Sequence, residues 1–333
     1  MKNNNYKSKV TPILLDIANR NGYRYILSES DPDAGYLLIG NRRFYFTYGT
    51  LDLNTDAATG FARNKLLSSG VAKEVGVRLP IENHVNYVQG IPQDEYISLV
   101  KQFIDKVGLP LIIKPLQGTQ GKNIFKIESI DEIDFAVKSI ISDKEDFLIQ
   151  EYIDVSTEIR VVLLDGDVIQ CYTRDYVHII GDGSTKIRKL IENKNEYFAS
   201  RQRNTKINIQ DSQIQSILGK KKYNLDTVLP HGERLDLSYG RNLSKGGECS
   251  FVENHMSGEL VNFSREIARV TGLRLVGLDL FLSVDVSLVK EKKQVTFIEY
   301  NASPDMENNF YYDDGYTETL HKIYEKIFNS IAG

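Results

Sequence analysis

The sequence predicts a mixed α/β (α+β) protein built from three subdomains. Strand-length apolar runs such as Leu111–Pro115, Leu275–Leu282 and Val295–Ile298 alternate with helix-period segments such as Ala62–Val75 and Glu259–Thr271. Turn dipeptides, Gly40-Asn41 and Asp165-Gly166, join neighbouring strands in the manner of antiparallel hairpins. A length of 333 residues is more than one ordinary compact unit, with an expectation of about two to three.

The first unit, residues 1–60, starts with a helix at Thr11-Pro12. Ile13, Leu14, Ile17 and Ala18 recur at helical spacing before Asn21-Gly22 stops it. Tyr23–Leu27, Tyr36–Ile39 and Arg43–Tyr48 read as strands. The second unit, residues 61–153, opens with the helix Ala62–Val75, which Gly76 and Pro80 close. It continues through the helix Glu95–Val107 and the strand that ends in Lys114. The third unit, residues 154–333, contains the hairpin Val161–Leu164 with Val168–Tyr172. A helix from Lys186 to Asn195 follows, capped by Ser184-Thr185, and a second runs from Glu259 to Thr271. No internal repeat or low-complexity tract interrupts this order.

Two places concentrate chemistry. Asp279 is the one charge in the apolar run Leu275–Leu282, and Glu299 with Asn301 closes the run that starts at Val295. Carboxylate and amide oxygens suit a hard divalent cation such as Mg²⁺, although each acid taken singly also fits a solvated strand end. About 160 residues earlier, Lys114 precedes Gly118-Thr119-Gln120-Gly121-Lys122-Asn123 and a second short strand, Ile124–Ile127. Strand, glycine loop, strand differs from the strand-to-helix setting of a Walker loop. Glycines let backbone N–H groups approach a phosphate, and Lys114 and Lys122 supply charge; an ordinary hairpin with solvated lysines is the plainer alternative.

Together these segments resemble the ATP-grasp superfamily. Phe147-Leu148-Ile149-Gln150-Glu151-Tyr152-Ile153 is similar to its strand and interdomain hinge, and Glu158-Ile159-Arg160-Val161-Val162 to the strand that follows. Val177-His178-Ile179-Ile180-Gly181-Asp182-Gly183 and Asn242-Leu243-Ser244-Lys245-Gly246-Gly247 are similar to blocks of the ATP-grasp modules of cyanophycin synthetase and of bifunctional glutathione synthetases. The resemblance runs from about Thr11 to about Asn309. It implies a freestanding module, without the Mur-ligase-like or glutamate–cysteine ligase modules of those enzymes.

The resemblance implies an ATP-grasp fold with the nucleotide between the central and C-terminal units. The expected cofactors are ATP and Mg²⁺, two ions, with Mn²⁺ as a substitute. Lys65, Lys114 and Gly118, Thr119, Gln120, Gly121 and Lys122 are expected at the phosphates. Gln150, Glu151, Tyr152 and Ile153 are expected at the adenine, through backbone groups, and Glu158 at the ribose. Asp279, Glu299 and Asn301 are the expected metal ligands. Arg160, Arg174, Arg241 and Asn242 are the expected catalytic groups, and His178, Ser244, Gly246 and Gly247 are expected to touch substrate. Four positions depart from the relatives' pattern. Ser238 and Tyr239 stand where arginines are common, Asn123 where a glycine is common, and Gln150 where a glutamate is usual.

The implied reaction is an ADP-forming ligation of a carboxylate to an amine through an acyl phosphate, on an amino acid or small peptide. Such chemistry needs cations on the transferring phosphoryl group and exclusion of water, and no protein nucleophile. Accordingly, His84, His178, His231, His255 and His321 are scattered and form no Ser-His-Asp or Cys-His pattern. An ATP-grasp phosphotransferase and a non-catalytic nucleotide-binding module are the alternatives. The bulk composition, 41% hydrophobic and 26% charged with net charge −4, has no basic excess pointing to nucleic acid or an anionic membrane. Cys171 and Cys249 have no paired spacing and read as reduced thiols. No signal-peptide core and no uncharged run long enough to span a bilayer is present, so a cytoplasmic location is expected. Small-molecule partners are expected, with a homo-oligomer compatible with the resemblance.

Overall fold

The computed structural model describes residues 6–116, 123–155, 157–201, 203, 205–307 and 316–332. The first unit is a helix on a meander. Helix α1 (Val10–Arg20) buries Val10, Ile13, Leu14, Ile17 and Ala18 on one face. Strands β1 (Arg24–Leu27), β2 (Ala34–Ile39), β3 (Arg42–Thr47) and β4 (Thr50–Leu51) pair in chain order. The β2–β3 turn is Gly40-Asn41, as expected, with Gly40 at φ +58.

The helix expected at 62–75 is two helices, α2 (Asp56–Arg63) and α3 (Lys65–Lys73). Asn64 separates them in an extended conformation and caps α3 by accepting from the N–H groups of Leu66 and Leu67. Both helices pack on strand and helix of the third unit, where Ala58, Ala62, Val71 and Ala72 join its core. The boundary drawn at residue 61 falls inside α2, and the apolar faces of both helices join the core of the third unit.

The second unit proper holds β5 (Glu82–Val85), α4 (Gln93–Val107), β6 (Leu111–Pro115), β7 (Phe125–Ile127), α5 (Ile133–Ser142) and β8 (Phe147–Glu151). Its antiparallel sheet has the order β5-β8-β6-β7, and α4 and α5 cover one face. β6 and β7 form the expected hairpin-like pair, and Asn123 adopts the left-handed φ of +54 that asparagine tolerates better than most residues.

The third unit is a five-stranded antiparallel sheet. Strands β9 (Thr157–Leu164) and β10 (Asp167–Asp175) meet at Asp165-Gly166, whose φ values of +50 and +91 are those of a primed hairpin turn. Between β10 and the returning edge strand, residues 176–247 form a lobe with its own core around Ile187, Ile191, Phe198, Leu229 and Leu235. The lobe contains β11 (His178–Ile180), α6 (Ile187–Ser200), α7 (Ser212–Lys220) and β12 (Arg234–Asp236). Ser184 and Thr185 do not cap α6. Their N–H and O–H groups are bound by Asp182 instead.

The chain then enters β13 (Glu248–Phe251), α8 (Gly258–Thr271, capped by Ser257), β14 (Leu275–Leu282) and β15 (Val295–Asn301). Sheet order is β13-β10-β9-β14-β15. The closing helix α9 (Tyr316–Ala332) returns to the first unit, where Leu320, Ile323, Tyr324 and Ile327 pack in one core with Val10, Leu14 and Phe44. The core of the unit drawn at 1–60 is thus completed by the far end of the chain.

Candidate active site on the central sheet

Side chains alternate across a strand, so the five-stranded sheet sorts its residues into two faces. Ile159, Val161, Leu163, Cys171, Leu278, Leu280 and Phe297 point toward α8, α2 and α3 and are buried there. The other face carries the polar set. Register places Arg160 opposite Asp279 and Asp279 opposite Glu299, while Arg174 stands opposite Glu158 and Asn301 opposite Gly277. A register shift just past Asp279, where Leu280 faces Phe297, keeps both Glu299 and Asn301 on this face.

Asp279 is the centre of that set. Arg160 grips it with two bonds, Nε to Oδ1 at 2.6 Å and Nη2 to Oδ2 at 2.7 Å, and Arg174 Nη1 adds a third at 3.1 Å. Arg174 Nη1 also reaches Glu158 Oε1 at 3.2 Å. Burial works to raise the Asp279 pKa, and the two guanidinium groups outweigh it, so the carboxyl ends below its ordinary value. At Glu158 burial wins over Arg174 and its pKa is raised. Neighbouring acids on one sheet face are therefore pushed in opposite directions.

Lys114 faces this row from the second unit. Only 8% exposed, it donates to Gln150 Oε1 at 3.0 Å, and Gln150 Nε2 donates on to Glu82 Oε2 at 2.8 Å. Burial pushes the Lys114 pKa down, Lys65 adds to that, and Glu299 opposes it. Glu299 also pulls on Arg160, so it stands within electrostatic reach of both walls. Lys65, at the start of α3, donates to the Leu116 carbonyl at 3.4 Å, beside the glycine loop. The structure thus brings Lys65, Lys114, Glu299, Asp279, Arg160 and Arg174 together. Gly118, Thr119, Gln120, Gly121 and Lys122 lie outside the described residues.

At the hinge, the Glu151 N–H donates to Ile81 O at 2.8 Å and the Tyr152 N–H to Pro110 O at 3.3 Å. Those two amides are engaged within the protein, leaving the segment from Tyr152 to Val155, which belongs to no strand, as the place where Ile153 and the hinge carbonyls lie.

Arg241 stacks over the Tyr176 ring at 4.6 Å and donates through Nη2 to Val155 O at 3.2 Å. Its Nε and Nη1, the Nε of Arg174 and the Nδ2 of Asn301 are buried with no acceptor among the described residues. A buried donor without an acceptor carries an uncompensated desolvation cost of about 1–3 kcal/mol. Two arginines with donors to spare suit an anionic group, and Asp279, Glu299 and Asn301 offer the oxygens a hard cation takes. Among the described residues no cluster of three or more His, Cys, Asp or Glu side chains forms a metal site. The candidate set has two carboxylates and an amide, and is of the size Mg²⁺ uses when phosphates complete its shell.

The block after Arg241 departs from expectation. Asn242 Oδ1 accepts from the Ser244 N–H and hydroxyl, the Gly246 N–H goes to Leu243 O, and the Gly247 N–H goes to Asn242 O. Those bonds take up the amides of Ser244, Gly246 and Gly247, the residues expected to touch substrate. The glycines have a packing reason: a Cβ on Gly247 would sit 2.6 Å from Asp175 O, and one on Gly246 3.0 Å from Phe198. Arg203, which sequence reasoning missed, pins the block through the carbonyls of Leu243 and Gly247. His178 is a satisfied, 8% exposed residue, with Nδ1 against Tyr176 O at 3.0 Å and its carbonyl bound by Lys194. Ser238 caps its own turn through Gly240 O, and Tyr239 packs toward the lobe core, so neither substitutes for an arginine at the sheet.

Residues 62–218 match the RimK-like ATP-grasp domain. A bifunctional glutathione synthetase from Pasteurella multocida superposes with a TM-score of 0.58 at 16% identity, over 95% of this chain and 44% of that one. The fold is ATP-grasp. A bifunctional glutathione biosynthesis protein of Streptococcus agalactiae is 27% identical over 242 residues, 70% of this chain and 32% of that protein. Cyanophycin synthetase of Trichormus variabilis is 27% identical over 235 residues, 69% of this chain and 25% of that enzyme. The chain therefore spans a third or less of the length of these curated relatives. Among its described residues no helix is long and apolar enough to cross a membrane.

Proposed function

We propose that this protein is an ATP-dependent, ADP-forming ligase that joins a carboxylate to an amine through an acyl phosphate, with an amino acid or small peptide among its substrates. One observation carries the reading: Arg160, Asp279 and Glu299 stand side by side on one sheet face, with Arg174 beside them and Lys114 of the second unit facing Glu299. Relatives named for glutathione biosynthesis and cyanophycin synthesis support it.

In this reading Lys65 and Lys114, with the loop from Gly118 to Lys122, hold the ATP phosphates, and the hinge Gln150 to Ile153 receives the base. Glu158 marks the ribose side. Asp279, Glu299 and Asn301 would hold Mg²⁺, which would supply positive charge against the phosphates. A substrate carboxylate oxygen attacks the γ-phosphorus, the bond to the β-bridging oxygen breaks, and ADP leaves. Arg160 and Arg174, collected at Asp279, with the spare donors of Arg241, stabilise charge on the transferring group. An amine then attacks the acyl carbon, the C–O bond to phosphate breaks, and the amide forms with loss of a proton.

The test is ADP and phosphate release from Mg²⁺-ATP across amino acids, singly and in pairs, with mass spectrometry of the products. A pair-dependent signal with a new amide, abolished in Glu299→Ala and Lys114→Ala while circular dichroism stays unchanged, is the expected result. Full turnover in a folded Glu299→Ala variant overturns the metal assignment, and a stable phosphorylated product with no amine makes the protein a phosphotransferase.

A further inference from the structure

Asn54 lies in the linker between β4 and α2, outside every motif discussed above, and its side-chain amide is fully used. Nδ2 donates to Leu275 O at 2.7 Å and to Ala302 O at 2.6 Å, and Oδ1 accepts from the N–H groups of Arg274 at 2.8 Å and Leu275 at 3.2 Å. A primary amide offers two donors and two acceptor lone pairs, so Asn54 has nothing left to give. Leu275 is the first residue of β14 and Ala302 directly follows β15. One side chain from the first unit thus ties together the strands that bear Asp279 and the pair Glu299 and Asn301.

The tie matters most at Asn301. Its Nδ2 is buried with no acceptor among the described residues, so no bond from that nitrogen fixes the plane of its amide. What the backbone fixes is the point and direction at which the side chain leaves the strand, and the backbone here is held from two sides. Asn54 grips the next carbonyl, and beyond it Pro304 folds onto Gly277, the residue opposite Asn301, so closely that a Cβ on Gly277 would lie 2.8 Å from Pro304 Cβ. Asn301 is therefore aimed by its main chain, and Asn54 supplies the polar half of the anchor.

We propose that Asn54 is a positioning residue for Asn301, setting the affinity of the site for its divalent cation. The inference rests on the metal assignment made above. It also gives the first unit, which contributes no expected ligand, a defined part in the chemistry of the third.

The test is a Mn²⁺ titration followed by electron paramagnetic resonance in the presence of a non-hydrolysable ATP analogue, on the full chain. Asn54→Ala is expected to weaken Mn²⁺ five- to tenfold, while the affinity for the analogue in EDTA stays within twofold. Asn54→Ser, which keeps one hydroxyl donor, should fall between and covers the case in which the alanine variant does not fold. The decisive comparison is in the Asn301→Ala background, where Asn54→Ala should weaken Mn²⁺ no further. An undiminished Mn²⁺ affinity in folded Asn54→Ala or Asn54→Ser overturns the proposal. So does an additive loss in the double variant, which would mean that Asn54 acts on the fold at large. If Glu299→Ala leaves Mn²⁺ binding intact, the metal assignment itself is wrong and this inference falls with it.

Discussion

The two walls of the cleft hold buried charge in different ways. On the third unit's sheet, Arg160, Arg174, Asp279 and Glu158 neutralise one another directly, with Asp279 only 3% exposed. On the second unit's sheet, Lys114 rests on a neutral amide, and its carboxylate, Glu82, stands one residue further out behind Gln150. The first wall is a lattice whose members need each other for stability. The second keeps a cation whose charge is not cancelled by direct contact with an acid, which suits a group meant to meet phosphate. Gln150 produces this arrangement, because a glutamate there would pair with Lys114 directly.

Breaking the lattice should cost most. Asp279→Ala strips two buried guanidinium groups of the carboxylate they share, leaving Glu158 on Arg174 and the more distant Glu299 on Arg160, and a loss of about 3–5 kcal/mol in urea unfolding is expected. Gln150→Leu should cost less, about 1–3 kcal/mol, because it strips Lys114 of its acceptor and Glu82 of a donor. Lys114→Met sharpens the contrast. It removes a buried charge whose pKa burial already pushes down, so stability should move by no more than about 1 kcal/mol while the affinity for ATP, read by calorimetry, falls at least tenfold. The smallest effect concerns the thiols. Burial pushes the Cys249 pKa up to about 12 against the pull of Arg203 and Arg174, and burial raises that of Cys171 as well. A raised thiol pKa means the neutral form persists through neutral pH, so at pH 8 neither cysteine should be alkylated by iodoacetamide in the folded protein. Both should react in denaturant, as intact mass would report.

Much of the fold was legible because its elements have strong periods. The buried stripe of α1, the Asp165-Gly166 hairpin, α8 and the runs around Asp279 and Glu299 all follow from apolar spacing and turn chemistry. Which unit an element packs with was less legible. Nothing in Ala58, Ala62 or Ala72 says that α2 and α3 lie against the third unit, and nothing in α9 says that it closes the core of the first. In the site, residue types were readable but their partners were not. Arg160 and Asp279 are separated by 119 positions and meet only through the strand order β9-β14. The substrate contacts expected at Ser244, Gly246 and Gly247 show the same limit, since a glycine-rich string does not disclose whether its amides are already taken.

The lobe of residues 176–247 departs from the sheet after Asp175 and rejoins it at Glu248, two residues that are cross-strand partners. Its ends are thus held about one strand spacing apart. A tight turn has the same end-to-end requirement as this whole lobe; what the lobe adds at the junction is side-chain bonding, Arg234 to Asp175 and Lys194 to Glu248. The lobe is a cassette in the architectural sense, and lengthening, exchanging or excising it would leave the β10–β13 pairing its full complement of backbone bonds. The outer surface of the lobe can therefore diverge without disturbing the strand pairing that places Arg174, which lies one residue inside the junction.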